Sequence, residues 1–377
     1  MRSILRGFAL AVSAAALVLG IGGDAQAQSK PMKKVVFLQY NVVPDLGDAH
    51  LWILPHALGY FAEEGLDVNV QLAGGSAGAI QLLAAGKGDI ATSTPDQLMI
   101  GIQKGVKMKA FFEQNRSYGS ALVVQKSANI TTVEQLKAYL KGSAIGVASL
   151  GSGRIHYGRA WLRDLGLQEE TDVKIVAVGT GAQAAVALKT DRVRALSIYD
   201  AAYAAIEAVS DIRFQRFETN WQGPLFSGVM AASDEAIAKD PAMITGISRA
   251  VAKSLVFATT NPQAVVKIFW KLYPETKPKA DAEAKELATQ TTVVNSMLPN
   301  WLYEMDKPGA QWGRMSASDW EKTQEFNLKA GVLTATAPVA NYFTDQYIEA
   351  ANKFDPEPIK KQAREFTESM IKYTSSN

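Results

Sequence analysis

The sequence predicts an α/β protein that is built from two similar lobes. Strand-like runs are followed by glycine turns and then by helix-like runs, which is the pattern of βαβ units. When the sequence is shifted by 105 positions, residues 68–95 lie over residues 173–200 without a gap. From Pro241 onward the pattern is mostly helical. We therefore expect two α/β lobes followed by a helical region.

The first lobe begins with a predicted strand at Val35–Leu38, which a polar loop follows. A helix is expected to end near Glu64, with Gly65 as its C-cap, before a strand at Leu66–Leu72. Pro55 either starts or kinks this helix.

The second lobe is predicted to open with a strand at Ala121–Gln125 and a helix at Thr131–Leu140. A Thr131-Thr132-x-Glu134 capping pattern starts that helix. A strand, a glycine loop at Ser149–Gly153 and another helix come next. Candidate helices of the C-terminal region are 241–258, 262–272, 281–297, 318–329 and 341–353.

The first 27 residues are predicted to be a cleavable secretory signal peptide. Arg2 and Arg6 precede an apolar run from Phe8 to Ile21, and Ala25-Gln26-Ala27 is a small-x-small cleavage signal. The run has 14 residues, which is short for a membrane anchor, the alternative interpretation. We therefore expect a soluble periplasmic protein that begins at Gln28.

Composition argues against several classes of function. The chain of 377 residues has a net charge of +2 without a long run of one sign, which argues against a nucleic-acid partner. It has no cysteine, so thiol catalysis, a thiolate metal site and a lipoprotein anchor are excluded. His50 and His56 are six residues apart and no carboxylate pair completes a ligand set, so neither a metal nor a prosthetic cofactor is expected.

Residues 74–78 match the G-x-S-x-G nucleophile elbow of serine hydrolases. In such enzymes the catalytic histidine follows the serine on a late loop, but here only His156 follows Ser76, and it lies at a predicted helix start. The oxyanion motif is also missing. Ser76 is therefore not predicted to be a nucleophile, and we do not expect an enzyme. Glycines before a helix N-terminus instead favour a site that holds a ligand.

Three stretches resemble the SsuA/THI5-like (NMT1) family of periplasmic solute-binding proteins: "GYFAEEGLDVNVQLAGGSAGAIQLLAAGKGDIATST", "LKGSAIGVASLGSG" and "NYFTDQYIEAAN". The resemblance implies the type II periplasmic binding protein fold, in which two α/β lobes are joined by two crossover segments around a ligand cleft. It places lobe 1 at 28–121 and 225–377 and lobe 2 at 122–224, with crossovers near Ser120–Lys126 and Gly223–Ala232.

The resemblance also implies a function. It indicates a monomeric binding component of an ABC transporter, with a small-molecule ligand and a membrane permease as partners; a sensor-coupled binding protein shares every visible feature. The pyrimidine-synthesising enzymes of the family depend on a cysteine-rich motif that this chain lacks.

Candidate ligand-binding residues follow from the architecture, because ligands of open α/β sheets lie beyond the carboxyl ends of the strands. They are Asn41, His50, Gly74, Gly75, Ser76, Thr94, Ser149, Ser152, Gly153, Thr180, Tyr199 and Asp200. His50 either touches the ligand or is only a helix-capping or surface histidine. Asp200 either binds a ligand amine or caps the next helix. Arg154 is expected to be solvated rather than to clamp an anion.

The class of ligand stays open between two alternatives. Three glycine turns point helix N-termini into one cleft, which favours a small anion, above all an organic anion such as a sulfonate or a carboxylate, or an oxyanion such as nitrate. Asp45, Asp48 and Asp200 instead supply negative charge, and Asp48-Ala49-His50 resembles the Asp/Asn-x-His stretch of pyrimidine-precursor binders. A neutral pyrimidine, similar to a thiamine precursor, or another aromatic solute is the alternative.

Overall fold

Ten strands form two five-stranded sheets in the computed structural model, which describes residues 31–117, 121–218 and 225–373. In chain order the strands are Lys33–Gln39 (β1), Leu66–Leu72 (β2), Ile90–Ser93 (β3), Met108–Asn115 (β4), Leu122–Gln125 (β5), Ser143–Val147 (β6), Val173–Ala177 (β7), Ala195–Leu196 (β8), Phe214–Phe217 (β9) and Gly228–Ser233 (β10).

Helices surround both sheets. They are Ile53–Ala57 (α1), Tyr60–Glu63 (α2), Ser76–Ala84 (α3), Pro95–Gln103 (α4), Val133–Leu140 (α5), Arg154–Asp164 (α6), Gly181–Lys189 (α7), Asp200–Val209 (α8), Asp234–Lys239 (α9), Pro241–Thr260 (α10), Pro262–Leu272 (α11), Glu283–Asn295 (α12), Leu298–Trp301 (α13), Ala317–Lys329 (α14), Ile348–Ala351 (α15) and Pro356–Arg364 (α16). None of the helices in the described ranges has the length and apolarity needed to cross a membrane.

The two sheets have the same topology. The first has the order β2-β1-β3-β10-β4 and the second β7-β6-β8-β5-β9. In the first sheet, β1 is parallel to β2 and β3, and β10 is antiparallel to β3 and β4. In the second sheet, β6 is parallel to β7 and β8, and β5 is antiparallel to β8 and β9. We call the first sheet with its helices lobe 1 and the second sheet with α5–α8 lobe 2. The predicted fold class of two α/β lobes is confirmed.

The predicted internal repeat corresponds to matching secondary structure. Helix α7 begins and ends 105 positions after α3, and α8 begins 105 positions after α4. Strands β7 and β8 likewise fall on the part of the second copy that matches β2 and β3. The loops at the ends of these strands therefore have equivalent places in the two lobes.

Both faces of each sheet are covered by helices, which explains the nearly continuous apolar strands. In β1, Val35 and Phe37 point to one core, whereas Leu38 points to the core on the other face. In β5, Val123 and Val124 divide in the same way between the two cores of lobe 2. This alternation follows from the two-residue period of a strand.

Several predicted helix boundaries need correction. The helix expected at 341–353 is wrong except for α15, because residues 342–344 pair with β4 instead: the Ala110 amide donates to the Tyr342 carbonyl (2.8 Å) and the Thr344 amide to the Ala110 carbonyl (2.8 Å). The helix expected to end near Glu64 is two short helices, α1 and α2, which Gly59 separates at a φ of 80°.

The remaining predictions of organisation concern segments between or outside the described ranges. The chain passes from β4 to β5 and returns from β9 to β10, and each connection includes residues outside the described ranges. The predicted signal peptide also lies outside them. The lobe boundaries at 121/122 and 224/225 and the cleavage site stay predictions.

A candidate ligand-binding cleft

A cleft between the lobes is lined by residues that follow the carboxyl ends of strands in both sheets. It holds about 790 Å³ of space that atoms do not fill, open solvent at its mouth included. Lobe 1 provides the ends of β1, β2, β3 and β4, and lobe 2 provides the ends of β6, β7 and β8. The lining residues are Tyr40, Asn41, Val42, Val43, Gly47, Asp48, Gly75, Ser76, Thr94, Asn115, Ala148, Ser149, Ser152, Arg154, Thr180, Tyr199, Ser227, Met297 and Asn300.

Asp48 is the acidic centre of the lobe 1 wall. Its two carboxylate oxygens accept hydrogen bonds from the Tyr40 hydroxyl (3.0 Å) and the Asn41 amide (2.8 Å), and Gln114 donates to the same Tyr40 hydroxyl (2.9 Å). The side chain is buried, and this burial, with the nearby charge of Asp45, raises the pKa of Asp48 to about 7. The carboxylate is therefore fixed in orientation and titrates near neutral pH.

Arg154 is the basic centre of the lobe 2 wall. It is the first residue of α6 and only 7% exposed, and its backbone amide donates to the Ser152 hydroxyl (3.2 Å). Its charge lowers the pKa values of Asp48 and Tyr40 across the cleft, against the stronger effect of their burial. The expectation that Arg154 is solvated is wrong, because the N-terminus of α6 is part of the cleft wall and Arg154 is buried there.

The glycine turns of the two lobes contact each other at one side of the cleft. The Ser149 hydroxyl donates to the Gly74 carbonyl (3.0 Å) and the Ala77 amide donates to the Gly151 carbonyl (3.1 Å). Gly75 has a φ of 142°, and a Cβ built there would lie 2.8 Å from the Gly151 backbone. Glycine is needed at position 75 both for this conformation and for this approach.

A second contact between the lobes lies beside Asp48. The Tyr199 hydroxyl donates to the Asp45 carboxylate (2.8 Å), whose other oxygen accepts from the Gly47 amide (2.6 Å). Burial raises the pKa of Asp45, and these two hydrogen bonds oppose that rise. Tyr199 thus connects the end of β8 to the loop that carries Asp48.

Eight of the twelve candidate residues line the cleft, four from each lobe. They are Asn41, Gly75, Ser76, Thr94, Ser149, Ser152, Thr180 and Tyr199. Ser76 accepts a hydrogen bond from the Thr94 amide through its hydroxyl (3.2 Å), so its oxygen joins two neighbouring loops of lobe 1.

The other four candidates are not among the residues that line the cleft. His50 is fully buried with its ring 4.7 Å from that of Trp301, and desolvation lowers its pKa to about 3. Gly74 and Gly153 contact the opposite lobe, and Asp200 forms an ion pair with Arg216. Burial raises the pKa of Asp200, and Arg216 opposes this.

The sequence reasoning missed lining residues that are remote in the chain. Asn115 and Ser227 stand at the neighbouring ends of β4 and β10, and Met297 and Asn300 come from the region of α13. Asn115 is the last residue of β4, so the rule for strand ends would have selected it if a strand had been predicted there. No local pattern marks Met297 or Asn300, because tertiary packing alone brings them to the cleft.

Metal binding has no support in the part of the chain that the structure describes. No group of three or more His, Cys, Asp or Glu side chains there is arranged to hold a metal ion.

Comparisons with known proteins agree with this architecture. The model of the NMT1/THI5-like family matches residues 52–265, which is more than half of the chain. The riboflavin-binding protein RibY of Chloroflexus aurantiacus is 24% identical over 335 residues, which are 85% of this chain and 88% of that protein.

Two solved structures have a similar fold at low identity. The alkanesulfonate-binding protein SsuA from Xanthomonas axonopodis pv. citri, bound to MOPS, superposes with a TM-score of 0.60 and 13% identity, covering 83% of this chain and 98% of that one. The periplasmic nitrate-binding protein NrtA from Synechocystis PCC 6803 gives a TM-score of 0.57 and 13% identity, with 92% of each chain covered. At this identity the likeness shows the fold.

Proposed function

The chain belongs to the NMT1/THI5-like family, and on that premise we propose that it is the periplasmic substrate-binding component of an ABC importer. We further propose that it captures a small organic anion, such as a sulfonate or a carboxylate, in the cleft between its lobes. The observation that carries this proposal is the buried guanidinium of Arg154 in the cleft wall.

Arg154 supports an anionic ligand for two reasons. A guanidinium presents a planar set of donors that matches carboxylate and sulfonate oxygens, and burial strengthens such hydrogen bonds. The N-termini of α3, α6 and α7 also reach the cleft through Ser76, Arg154 and Thr180. Each helix end favours negative charge by roughly 0.3–1 kcal/mol.

The surroundings of Ser76 support binding rather than catalysis. Its hydroxyl is buried and accepts a hydrogen bond from the Thr94 amide. His156, the histidine that follows it in the chain, instead makes a 2.8 Å hydrogen bond to Gln97. A serine nucleophile needs a base within hydrogen-bond reach, and neither contact provides one.

The contacts between the lobes support a closing motion around the ligand. With lobe boundaries at 28–121, 122–224 and 225–377, the contacts of Tyr199 with Asp45 and of Ser149 with Gly74 cross from one lobe to the other. Release of a ligand then requires these hydrogen bonds to break in a hinge motion at the crossovers. Small-angle scattering should show a smaller radius of gyration at saturating ligand.

A neutral aromatic heterocycle is the second candidate ligand. The Asp48 carboxylate, with Asn41 and Tyr40 beside it, offers the acceptors and donors that an aminopyrimidine edge requires. The name of the relative RibY states that it binds riboflavin, another heterocycle.

A thermal-shift panel followed by calorimetry tests the class of ligand. Binding at a hundredfold excess over Kd stabilises by about 2.7 kcal/mol, which raises the melting temperature by a few degrees. We expect shifts with alkanesulfonates, nitrate or carboxylates. Shifts with riboflavin or a 4-aminopyrimidine, and with no anion, would favour the second candidate.

Matched arginine variants on one helix test the role of Arg154. Arg154→Ala should weaken anion binding by about a hundredfold, since loss of a buried charged partner costs roughly 2–5 kcal/mol. Arg159→Ala, which removes an arginine that pairs with Glu169 at the surface (2.7 Å), should leave the affinity unchanged. If the two variants weaken binding equally, Arg154 does not bind the anion directly.

Uptake measurements test whether the protein delivers its ligand to an importer. A strain without this gene should lose high-affinity uptake of the ligand that calorimetry identifies. Normal uptake with a lost transcriptional response would instead indicate a sensor-coupled binding protein.

The N-terminal sequence of the exported protein should begin at Gln28.

A further inference from the structure

The cleft carries one carboxylate and one guanidinium, and from this pair we infer that the ligand is a zwitterion. Its ammonium group lies at Asp48 and its acidic group at Arg154. Among the described residues that line the cleft, these are the two charged side chains. The inference rests on the proposed function and narrows its ligand to compounds such as aminosulfonates and amino acids.

Asp48 forms no ion pair with a cation of the described chain, and Arg154 acts on it only from across the cleft. It is only 4% exposed, and no Lys, Arg or His nitrogen of the described residues lies within 4.0 Å of its oxygens. Its hydrogen-bond partners are the neutral groups of Tyr40 and Asn41. A buried carboxylate without a cation is costly, so a ligand ammonium that reaches it gains a charge-assisted hydrogen bond.

The other acidic groups around the cleft have partners from the chain itself, and for Asp200 that partner is a cation. Asp200 pairs with Arg216, and the Asp96 carboxylate lies 3.6 Å from the His156 ring nitrogen. Asp45 accepts hydrogen bonds from Tyr199 and Gly47 and lies behind Asp48, where its charge adds to the negative potential. Of these four acidic residues, Asp48 is the one that lines the cleft, and it has no ion-pair partner among the described residues.

The geometry of Asp48 suits an ammonium group. Tyr40 and Asn41 each occupy one oxygen, and a carboxylate oxygen has a second lone-pair site, so both oxygens keep acceptor capacity. The Gln114 amide fixes the Tyr40 hydroxyl in turn. The acceptors are therefore held in place before the ligand arrives, which reduces the entropic cost of binding.

The two charges also belong to different lobes. Asp48 lies in the loop after β1, and Arg154 lies at the start of α6. A zwitterion contacts both walls at once, whereas a simple anion leaves Asp48 unpaired beside it. Binding of the zwitterion should therefore favour the closed arrangement more strongly.

Calorimetry with a matched pair of probes tests this inference. The pair is 3-aminopropanesulfonate and butanesulfonate, which share the sulfonate and chain length but differ in a terminal ammonium or methyl group. At pH 8 we expect the amino probe to bind at least about tenfold more tightly, as one charge-assisted hydrogen bond allows. The pair 4-aminobutanoate and pentanoate repeats the comparison with a carboxylate.

Variants assign the preference to one carboxylate. Asp48→Asn should bring the two affinities within about threefold of each other, and Arg154→Ala should weaken both probes. Asp211→Asn is the matched control, because Asp211 is exposed on lobe 2, and it should keep the wild-type preference. Melting temperatures measured without ligand identify a variant that has lost its fold.

The pH dependence of binding to the wild-type protein is a further test of this inference. Because the pKa of Asp48 is about 7, its charge is lost as the pH falls from 8 to 6. The preference for the amino probe should shrink over this interval, and its binding near pH 7 should release protons to the buffer.

The outcomes separate this inference from the proposed function. Equal or tighter binding of butanesulfonate, with no change in Asp48→Asn, overturns the zwitterion and leaves the anion-binding function standing. Proton uptake on binding of the amino probe also overturns it. If no member of either pair binds, whereas riboflavin or a 4-aminopyrimidine does, the anion class and the zwitterion fail together.

Discussion

The two lobes have the same strand order but contribute opposite charges to the cleft. Lobe 1 presents the Asp48 carboxylate with the amides of Asn41 and Asn115, and lobe 2 presents the Arg154 guanidinium with the hydroxyls of its glycine loop. The common topology determines where the loops lie, and the residues of each loop determine its chemistry. A duplicated architecture can therefore build an asymmetric site.

The lobes also differ in how they bury titratable groups. In lobe 1, His50 is fully enclosed beside Trp301 without an acidic neighbour that affects its pKa. In lobe 2, His156 contacts Gln97 and Asp96 of lobe 1, so the charge of Asp96 offsets part of its desolvation. The three predictions below test these differences.

The largest expected effect concerns acid stability and His50. Its folded-state pKa of about 3 is below the ordinary 6.5, so the unfolded chain binds the proton first and stability is lost as the pH falls below 6.5. Between pH 7 and pH 4 the wild type should lose about 3 kcal/mol more than His50→Gln. Urea unfolding at each pH measures this difference.

The comparison variant for this prediction is His156→Gln in lobe 2. Desolvation also lowers the pKa of His156, but Asp96 raises it, so the difference from the wild type should be smaller. If His156→Gln has the larger effect, our account of burial in the two lobes is wrong.

The next effect concerns the contact between the glycine turns. Gly75→Ala places a Cβ 2.8 Å from the Gly151 backbone and strains a residue with a φ of 142°, so closure should be hindered and affinity should fall by roughly tenfold to hundredfold. In Gly151→Ala the nearest atom is 3.7 Å away. Its affinity, measured by the same calorimetry, should stay near the wild-type value; a similar loss in both variants would contradict this asymmetry.

The smallest effect concerns the hydrogen bond between the lobes at Tyr199. Tyr199→Phe removes its 2.8 Å contact with Asp45 and should weaken ligand binding about threefold to tenfold. Tyr203→Phe is the control, because the Tyr203 hydroxyl accepts a hydrogen bond from the Ile198 amide (2.8 Å) within lobe 2. This variant should lower the melting temperature and leave the affinity for the ligand unchanged. If Tyr203→Phe weakens binding and Tyr199→Phe does not, the hydrogen bond between Tyr199 and Asp45 does not hold the lobes together.

Much of the fold could be predicted because its signals are local. The apolar alternation of Leu66–Leu72 and the prolines at 241 and 262 mark elements that the structure places at the same residues. The capping box of α5 was predicted one residue too early, since Thr132 and Gln135 form it rather than Thr131 and Glu134. Neighbouring residues of the same type offer the backbone equivalent caps, so the pattern alone does not decide between them.

The candidate site was less predictable because side-chain direction depends on packing. The rule for strand ends selected eight lining residues, but it also selected His50 and Asp200, which are not among the residues that line the cleft. Arg154 was expected to be a solvated arginine at a helix N-terminus, and the structure buries it.

The sequence by itself determined the two α/β lobes and their glycine turns, because apolar periodicity and glycine act over short stretches of chain. Only the tertiary structure decided that Asp48 and Arg154 share one cleft and that Asp200 is neutralised by Arg216. It also brought Met297 and Asn300 to the cleft from far along the chain. Charge pairing and burial depend on residues that are distant in sequence, and their free energies are set when the lobes pack together.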